Sequence, residues 1–290
     1  MRKTSVYLPD HLKRALAERA ASTGRSEADV LRAAVDEALS SAPAVTRVRA
    51  DPPVPGRLVG VGVGPGDVDL LTLRAVAALR RADRVVAPST AVDAVGRAES
   101  IVRQAVPGLA VERIPFVMSR ARADRDVSIE RAAAAVAAHL DAGEEVAFIT
   151  LGDPLTYSTF AAVAAAVRLR RRDTMVEQVP GIMAFQALAA RTGTMIVDER
   201  QRLIVRTALD GEEFRDDLAD PHATVVVYKG GRRLPELAAA VAAAGRGDDA
   251  VAGELLGLPG ERVGPLGDIA AHGPASYLAT VIVPAGEASG

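Results

Sequence analysis

The chain alternates short apolar runs with longer segments of helical period, and that rhythm predicts its elements. Apolar runs at 57–64, 84–88, 111–114, 145–149 and 175–179 read as buried strands. Between them, segments near 70–79, 94–106 and 127–142, an alanine-rich stretch after Phe160 and a segment at 183–191 read as helices. Alternating strand and helix at this spacing predicts an α/β fold with a mostly parallel sheet. The strands 57–64, 145–149 and 175–179 each run into a glycine-bearing turn that leads into a helix. Those turns then share one sheet edge, which is where open α/β sheets place their ligands.

Beyond residue 200 the rhythm changes. Runs at 202–206, 223–228, 250–252, 262–263 and 277–283 read as strands, with helices only at about 212–219 and 233–244. Several strands lack an intervening helix, so this second sheet is expected to be mixed. Before residue 57 the pattern is different again. Residues 2–8 alternate as a short strand, with Lys3, Ser5 and Tyr7 on one face. Pro9-Asp10 opens a helix bearing Leu12, Leu16 and Ala20, and Ser26 with Asp29 three residues on caps a second. The expected domains are a strand–helix–helix module at 1–40, a proline-rich linker at 41–56, α/β halves at 57–200 and 201–284, and a disordered tail at 285–290.

Composition narrows the chemistry. With 49% hydrophobic and 25% charged residues the chain has the make-up of a globular protein with a sizeable core. The net charge of −2 argues against general nucleic-acid affinity, although residues 1–50 hold nine Lys/Arg against six Asp/Glu. Cysteine is absent, which excludes thiolate nucleophiles and disulfides, and the four histidines show no ligand spacing, so no metal is expected. Without an apolar leader or a membrane-length run, the expected location is the cytoplasm.

The first glycine-rich turn, Gly60-Val-Gly-Val-Gly-Pro-Gly-Asp67, fails as a dinucleotide fingerprint in both registers, and no P-loop Lys follows. It ends instead on an acid, a poor neighbour for a pyrophosphate. Asp67 or Asp69 is the expected cap of the next helix, with Leu70, Leu71, Leu73, Val76 and Leu79 inward. Gly152-Asp153-Pro154 leaves Asp153 at a central strand end. Residues 115–125 read as a long loop whose Arg120, Arg122 and Arg125 suit a substrate with several carboxylates.

These stretches together resemble the tetrapyrrole (corrin and porphyrin) methylases: "GVGVGPGDVDLLTLRAVAALRRADRVVAPS", "AFITLGDPLTYSTF", "EQVPGIMAFQALAARTG", "VVVYKGG" and "ATVIV". Within that family "TLGDPLTYSTF" and "PFVMSRARADRD" look most like the precorrin-2 C(20)-methyltransferases. The resemblance implies two α/β domains with the cofactor, S-adenosylmethionine, held between them, usually in a homodimer. By motif position Pro65, Leu151, Gly152, Asp153, Thr156, Met183, Ala184, Lys229, Thr280 and Val281 would line the cofactor site. Gly64 and the three arginines would face the tetrapyrrole, with Asp67 and Tyr157 as catalytic candidates. "PGIMAF" departs from the family in carrying Met and Ala where a Ser/Thr pair is common. Residues 1–40 lie outside the family pattern and resemble the ribbon-helix-helix family of DNA-binding dimers, in which Lys3, Ser5 and Tyr7 would be base readers. The alternatives are methylation at another tetrapyrrole position, and a DNA-linked regulator whose methylase-like domain only senses a ligand.

Overall fold

The structure, a computed structural model, describes residues 10–40, 56–90, 95–117, 122–207 and 213–286. It forms two compact units, Met1–Pro53 and Val54–Gly290. In the first, α1 (Asp10–Thr23) and α2 (Glu27–Ser40) are separated by a cap. Ser26 Oγ accepts from Asp29 N at 3.2 Å and bonds Asp29 Oδ2 at 2.6 Å. The expected strand at 2–8, with Lys3, Ser5 and Tyr7, lies outside the described residues, as do the linker residues 41–55 and residues 287–290.

The second unit holds two five-stranded sheets. The first contains β1 (Arg57–Gly62), β2 (Arg84–Ser89), β3 (Glu112–Pro115), β4 (Val146–Thr150) and β5 (Met175–Val179). Its order is β3-β2-β4-β1-β5 and every pair is parallel. A parallel sheet must bury both faces, which is why these strands are continuous apolar runs rather than alternating ones. Helices α3 (Leu73–Arg81) and α4 (Arg97–Ala105) cover one face, packing Leu79, Ile101 and Val102 onto Val59, Val61, Val85 and Ile149. Helices α5 (Arg122–Asp141) and α6 (Phe160–Arg170) cover the other, with Val136, Phe160 and Val163 against Leu58, Val86 and Phe148.

The amino ends of these strands are closed by ion pairs. Arg57 contacts both Glu145 and Glu177, Arg81 reaches Glu145 at 2.8 Å, and Arg74 reaches Glu177 at 2.8 Å. Beside them Arg84 pairs with Glu144, and His139 lies between Glu144 at 2.8 Å and Glu112 at 2.9 Å.

Helix α7 (Ala184–Thr192) leads to the second sheet: β6 (Arg202–Thr207), β7 (Ala223–Tyr228), β8 (Val251–Glu254), β9 (Arg262–Pro265) and β10 (Thr280–Val283). Their order is β6-β7-β10-β8-β9, with β6–β7 parallel and the other pairs antiparallel, the expected mixed sheet. Helices α8 (Glu213–Leu218), α9 (Leu234–Ala243) and α10 (Leu266–Ala270) pack on one face, and α7 covers the other through Phe185 and Leu188. The Arg246 guanidinium ties the far end of this sheet, donating to the carbonyls of Ala223 and Pro284 at 2.6 Å each and to those of Leu218 and Asp220.

Two local expectations change. Helix α3 starts at Leu73 because Thr72 accepts from Ala75 N at 3.1 Å, while Asp67 caps only a short 3-10 turn at Val68–Leu70. That start rotates Leu73 into solvent and turns Ala75, Ala78 and Leu79 inward. Helix α5 begins at Arg122 rather than near 127, so Arg122 and Arg125 lie on its first turn and not in a loop. Asp124 in that turn favours the helix dipole, and Arg122 lies 3.9 Å from Asp126 one turn on.

Candidate functional site

The carboxyl ends of β1, β4 and β5 converge until their backbones touch. Gly152 N donates to Gly64 O at 2.8 Å, and Val63 N to Thr150 O at 3.0 Å. A Cβ added to Gly181 would sit 2.1 Å from Gly152 O, and one added to Gly62 would sit 2.5 Å from the same atom. No residue but glycine fits that crossing. Asp153 locks it from the side. Its Oδ2 accepts from Gly181 N at 3.2 Å, and its Oδ1 accepts from Leu155 N at 2.9 Å and from the Thr156 hydroxyl at 3.4 Å. Gly152 itself is left-handed, with φ +70° and open space where a side chain would point. Thr150 and Ser158 exchange a hydroxyl bond at 3.0 Å, and Ser158 also caps Phe160 N at the start of α6.

The second sheet closes over these turns on two sides. On one, Gly66 lies so near Leu256 that an added Cβ would fall 1.8 Å from its carbonyl oxygen. Asp67 follows at once. Its Oδ1 accepts from Asp69 N at 3.1 Å and its Oδ2 lies 3.7 Å from Arg191 on α7. Arg191 in turn holds Glu261 at 2.6 Å, and Glu261 accepts from Gly257 N at 2.5 Å. On the other side, Tyr157 reaches across to donate to the Val205 carbonyl of β6 at 2.7 Å. Lys229, just past β7, donates to the Tyr157 carbonyl at 3.3 Å. Tyr157 and Lys229 both have left-handed backbones, φ +49° and +59°, which side-chain-bearing residues adopt at a cost.

Next to Lys229, Tyr228 packs edge-on against Tyr157 and Phe185, with ring centroids 6.1 and 6.4 Å apart, and its Oη accepts from Phe185 N in the first turn of α7. Burial raises the Tyr228 pKa above the ordinary phenol range and lowers that of Lys229. Thr280 is opposite Tyr228 in the ladder, fully buried, and its hydroxyl has no partner.

Of the residues singled out from sequence, Gly64, Gly152, Asp153 and Thr156 lie at the crossing with Pro65 and Leu151 beside them in the chain, Asp67 flanks it on the Leu256 side, and Tyr157 and Lys229 flank it on the β6–β7 side, where Met183 and Ala184 pack near Tyr228 and Thr280 lies opposite Tyr228. Val281 sends its side chain into the core on the α8–α10 face, away from Thr280. Arg122 and Arg125 stand exposed at the amino end of α5, and Arg120 lies outside the described residues. Tyr228 and Arg191 were not singled out from sequence. Tyr228 left a readable mark, an aromatic ending a valine strand directly before Lys-Gly-Gly, whereas Arg191 is one of many arginines and left none. Among the described residues no cluster of His, Asp or Glu could hold a metal ion, and no helix is long and apolar enough to cross a membrane.

A precorrin-2 C(20)-methyltransferase of Sinorhizobium sp is 36% identical over 239 residues, covering 79% of this chain and 95% of the relative. A cobalt-precorrin-2 C(20)-methyltransferase of Salmonella typhimurium is 31% identical over 230 residues, covering 79% and 96%. The fold is shared with solved structures. That of a cobalt precorrin-4 methyltransferase aligns with a TM-score of 0.59 at 20% identity, covering 79% of this chain and 94% of that one. That of uroporphyrin-III C-methyl transferase from Thermus thermophilus, complexed with S-adenyl homocysteine, aligns with a TM-score of 0.54 at 22% identity, covering 80% and 98%. Residues 2–40 match the model of the ribbon-helix-helix protein, copG family. Residues 57–270 match that of the Tetrapyrrole (Corrin/Porphyrin) Methylases, and the chain belongs to that family.

Proposed function

We propose that this protein transfers a methyl group from S-adenosylmethionine to carbon 20 of precorrin-2 or of its cobalt-containing form, in cobalamin biosynthesis. The observation that carries this reading is the 36% identity, over nearly the whole of the relative, to an enzyme named for that step. The cleft supports it. Asp153 and the glycine crossing form a rigid cradle beside open space at Gly152, and the buried Thr280 hydroxyl awaits a partner. Those features fit the cofactor, with Pro65, Leu151, Gly152, Asp153, Thr156, Met183, Ala184, Lys229, Thr280 and backbone of Val281 as its surroundings.

S-adenosylmethionine, when bound, supplies an electrophilic methyl whose leaving group departs neutral. The chain then needs no acid for the leaving group, and its main contribution is to hold donor and acceptor carbon in line. Asp153 does this indirectly, because both its carboxylate oxygens fix the turns that form the cradle. Asp67, on the opposite lip, is the proposed base that takes the proton lost from the methylated macrocycle, while Gly64 lines the tetrapyrrole trough. Tyr157, a catalytic candidate from its position, is better assigned to strapping the cleft, since its hydroxyl is engaged by Val205. Arg122 and Arg125, with Arg120, remain the proposed contacts to substrate carboxylates. Intact turns favour an enzyme over a ligand sensor.

The test is purified protein with methyl-labelled S-adenosylmethionine and precorrin-2, with and without cobalt, reading product mass and methyl position. Methylation at carbon 20 is expected. Transfer to another carbon would move the reading to a sister reaction, and no transfer at all would refute it. The enzyme is proposed to act as a homodimer in the cytoplasm.

The N-terminal unit supports a second activity. Two helices of 14 residues each are too short to bury a core alone, and Leu12 is 47% exposed. Pairing with a second copy is the proposed remedy, and DNA contact through Lys3, Ser5 and Tyr7 the proposed use. A gel shift against the DNA upstream of its own gene should show salt-sensitive binding. No shift would reduce the unit to a dimerisation element.

A further inference from the structure

We propose that Lys229 is the carboxylate receptor of the cleft, holding one carboxylate of the bound ligands. The inference rests on the methylase reading above and adds what part of a ligand this residue takes.

Lys229 is half-buried, and among the described residues its ammonium makes one hydrogen bond, to the neutral carbonyl of Tyr157 at 3.3 Å. Among the described residues no carboxylate lies within ion-pairing distance of it. A desolvated cation without an anion is costly, and burial lowers its pKa accordingly. Its backbone is left-handed, a conformation glycine would hold with less strain, and two glycines follow it directly. The fold therefore tolerates both strain and desolvation to keep an ammonium at this position.

The neighbouring groups have the same character. Tyr228 accepts from Phe185 N, and its own proton has no acceptor among the described residues. Thr280, opposite Tyr228, is fully buried with an unpartnered hydroxyl. The first turn of the nine-residue helix α7 faces Tyr228 through that Phe185 amide, adding the positive end of its dipole. A cation, two hydroxyl groups and a helix N-terminus thus gather around the end of β7, where no acid pairs with the lysine among the described residues. Donors in such surplus call for a ligand group rich in lone pairs, and a carboxylate accepts up to about four bonds. A sulfonium at the same place would meet like charge, so the reacting sulfur is excluded from this corner. Two carboxylate sources remain: the amino-acid end of S-adenosylmethionine, and the acetate and propionate arms of the tetrapyrrole.

Calorimetric titration of the full chain with S-adenosylhomocysteine, and with its decarboxylated analogue, separates them. If the cofactor's carboxylate is held, Lys229→Met weakens S-adenosylhomocysteine roughly 10- to 100-fold but leaves the decarboxylated analogue unchanged, and Lys229→Arg recovers most of the loss. If a substrate arm is held, S-adenosylhomocysteine binding is unchanged and the KM for the tetrapyrrole rises by a similar factor. Lys229→Gly guards against simple misfolding. It relieves the left-handed strain, so its Tm should match or exceed the wild type while its binding falls as in Lys229→Met. Unchanged affinity and unchanged KM in Lys229→Met would overturn the inference alone. A wild-type protein that binds no S-adenosylhomocysteine would overturn the methylase reading, and this inference with it.

Discussion

The two ends of the first sheet are made of the same strands and solve opposite problems. The amino end carries a network of ion pairs: Arg57, Arg74 and Arg81 divide Glu145 and Glu177 among them, and His139 sits between two glutamates. At the carboxyl end the backbone is crowded to contact, Gly62, Gly66 and Gly181 stand where no side chain fits, and beyond the crossing lie a lysine and a buried hydroxyl that find, among the described residues, no acid and no bond respectively. The first end is complete as it stands. The second is the end at which the proposed ligand would bind, and that asymmetry, if the proposal holds, separates residues that hold the fold from residues that hold a ligand.

If the separation is sound, substitutions at the two ends should fail in different assays. The largest effect is expected at Asp67. Asp67→Asn should lower kcat by about 10²- to 10⁴-fold while S-adenosylhomocysteine affinity stays near wild type. Unchanged turnover at saturating substrates would remove it as the base. Next is the crossing. Gly181→Ala must move the Gly152 carbonyl, at a cost of about 3 kcal/mol, and should abolish measurable cofactor binding even where the protein remains folded. A variant that binds normally would show that the crossing does not shape the pocket.

At the amino end the pattern should reverse. Glu145→Gln leaves Arg57 and Arg81 short of a partner and should cost about 1–2 kcal/mol in chemical denaturation, with turnover intact. A fall in kcat there would blur the division. The smallest effect concerns pH. The Arg84 and His139 contacts hold the Glu144 carboxyl below its ordinary range, and Arg74 with Arg57 does the same for Glu177. Depressed folded-state values stabilise the protein above the ordinary glutamate pKa of about 4.3 and lose that contribution as pH falls through the folded values. Melting temperature should therefore drop in acid, and the Glu144→Gln, Glu177→Gln double variant should show a shallower drop.

How much of this was legible in the sequence differs by residue. Valine-rich runs that end in glycine announced the strands, their parallel pairing and the edge where the turns meet, because parallel strands need apolar residues on both faces. The turn at Gly152-Asp153-Pro154 announced itself too. What no local pattern carried was contact between distant segments. That Gly62 and Gly181 are glycines because both press on Gly152 O follows only from the β4-β1-β5 strand order. The partners of Asp67 and Tyr157, namely Arg191 and the Val205 carbonyl, come from segments far along the chain. Leu73 reads as inward when Asp67 or Asp69 is taken as the cap, whereas the cap that sets the helix phase is Thr72. Arg122 and Arg125 misled because three arginines near a proline read as loop, whereas Asp124 and Asp126 supply what a helix start needs.

Strand order also bears on how the protein is made. The first sheet has all its strands once the ribosome has passed Val179. The second does not, because β10, the last of the described strands, lies in the middle of its sheet between β7 and β8. Until Thr280–Val283 emerge, both neighbours expose an unpaired edge, and the Arg246 clamp lacks the Pro284 carbonyl. The nascent chain thus carries a finished first sheet beside an open template for strand addition. Translation past residue 284 is the event that closes the edge most exposed to aggregation, and a stalled chain lacking these residues should be a strong chaperone client.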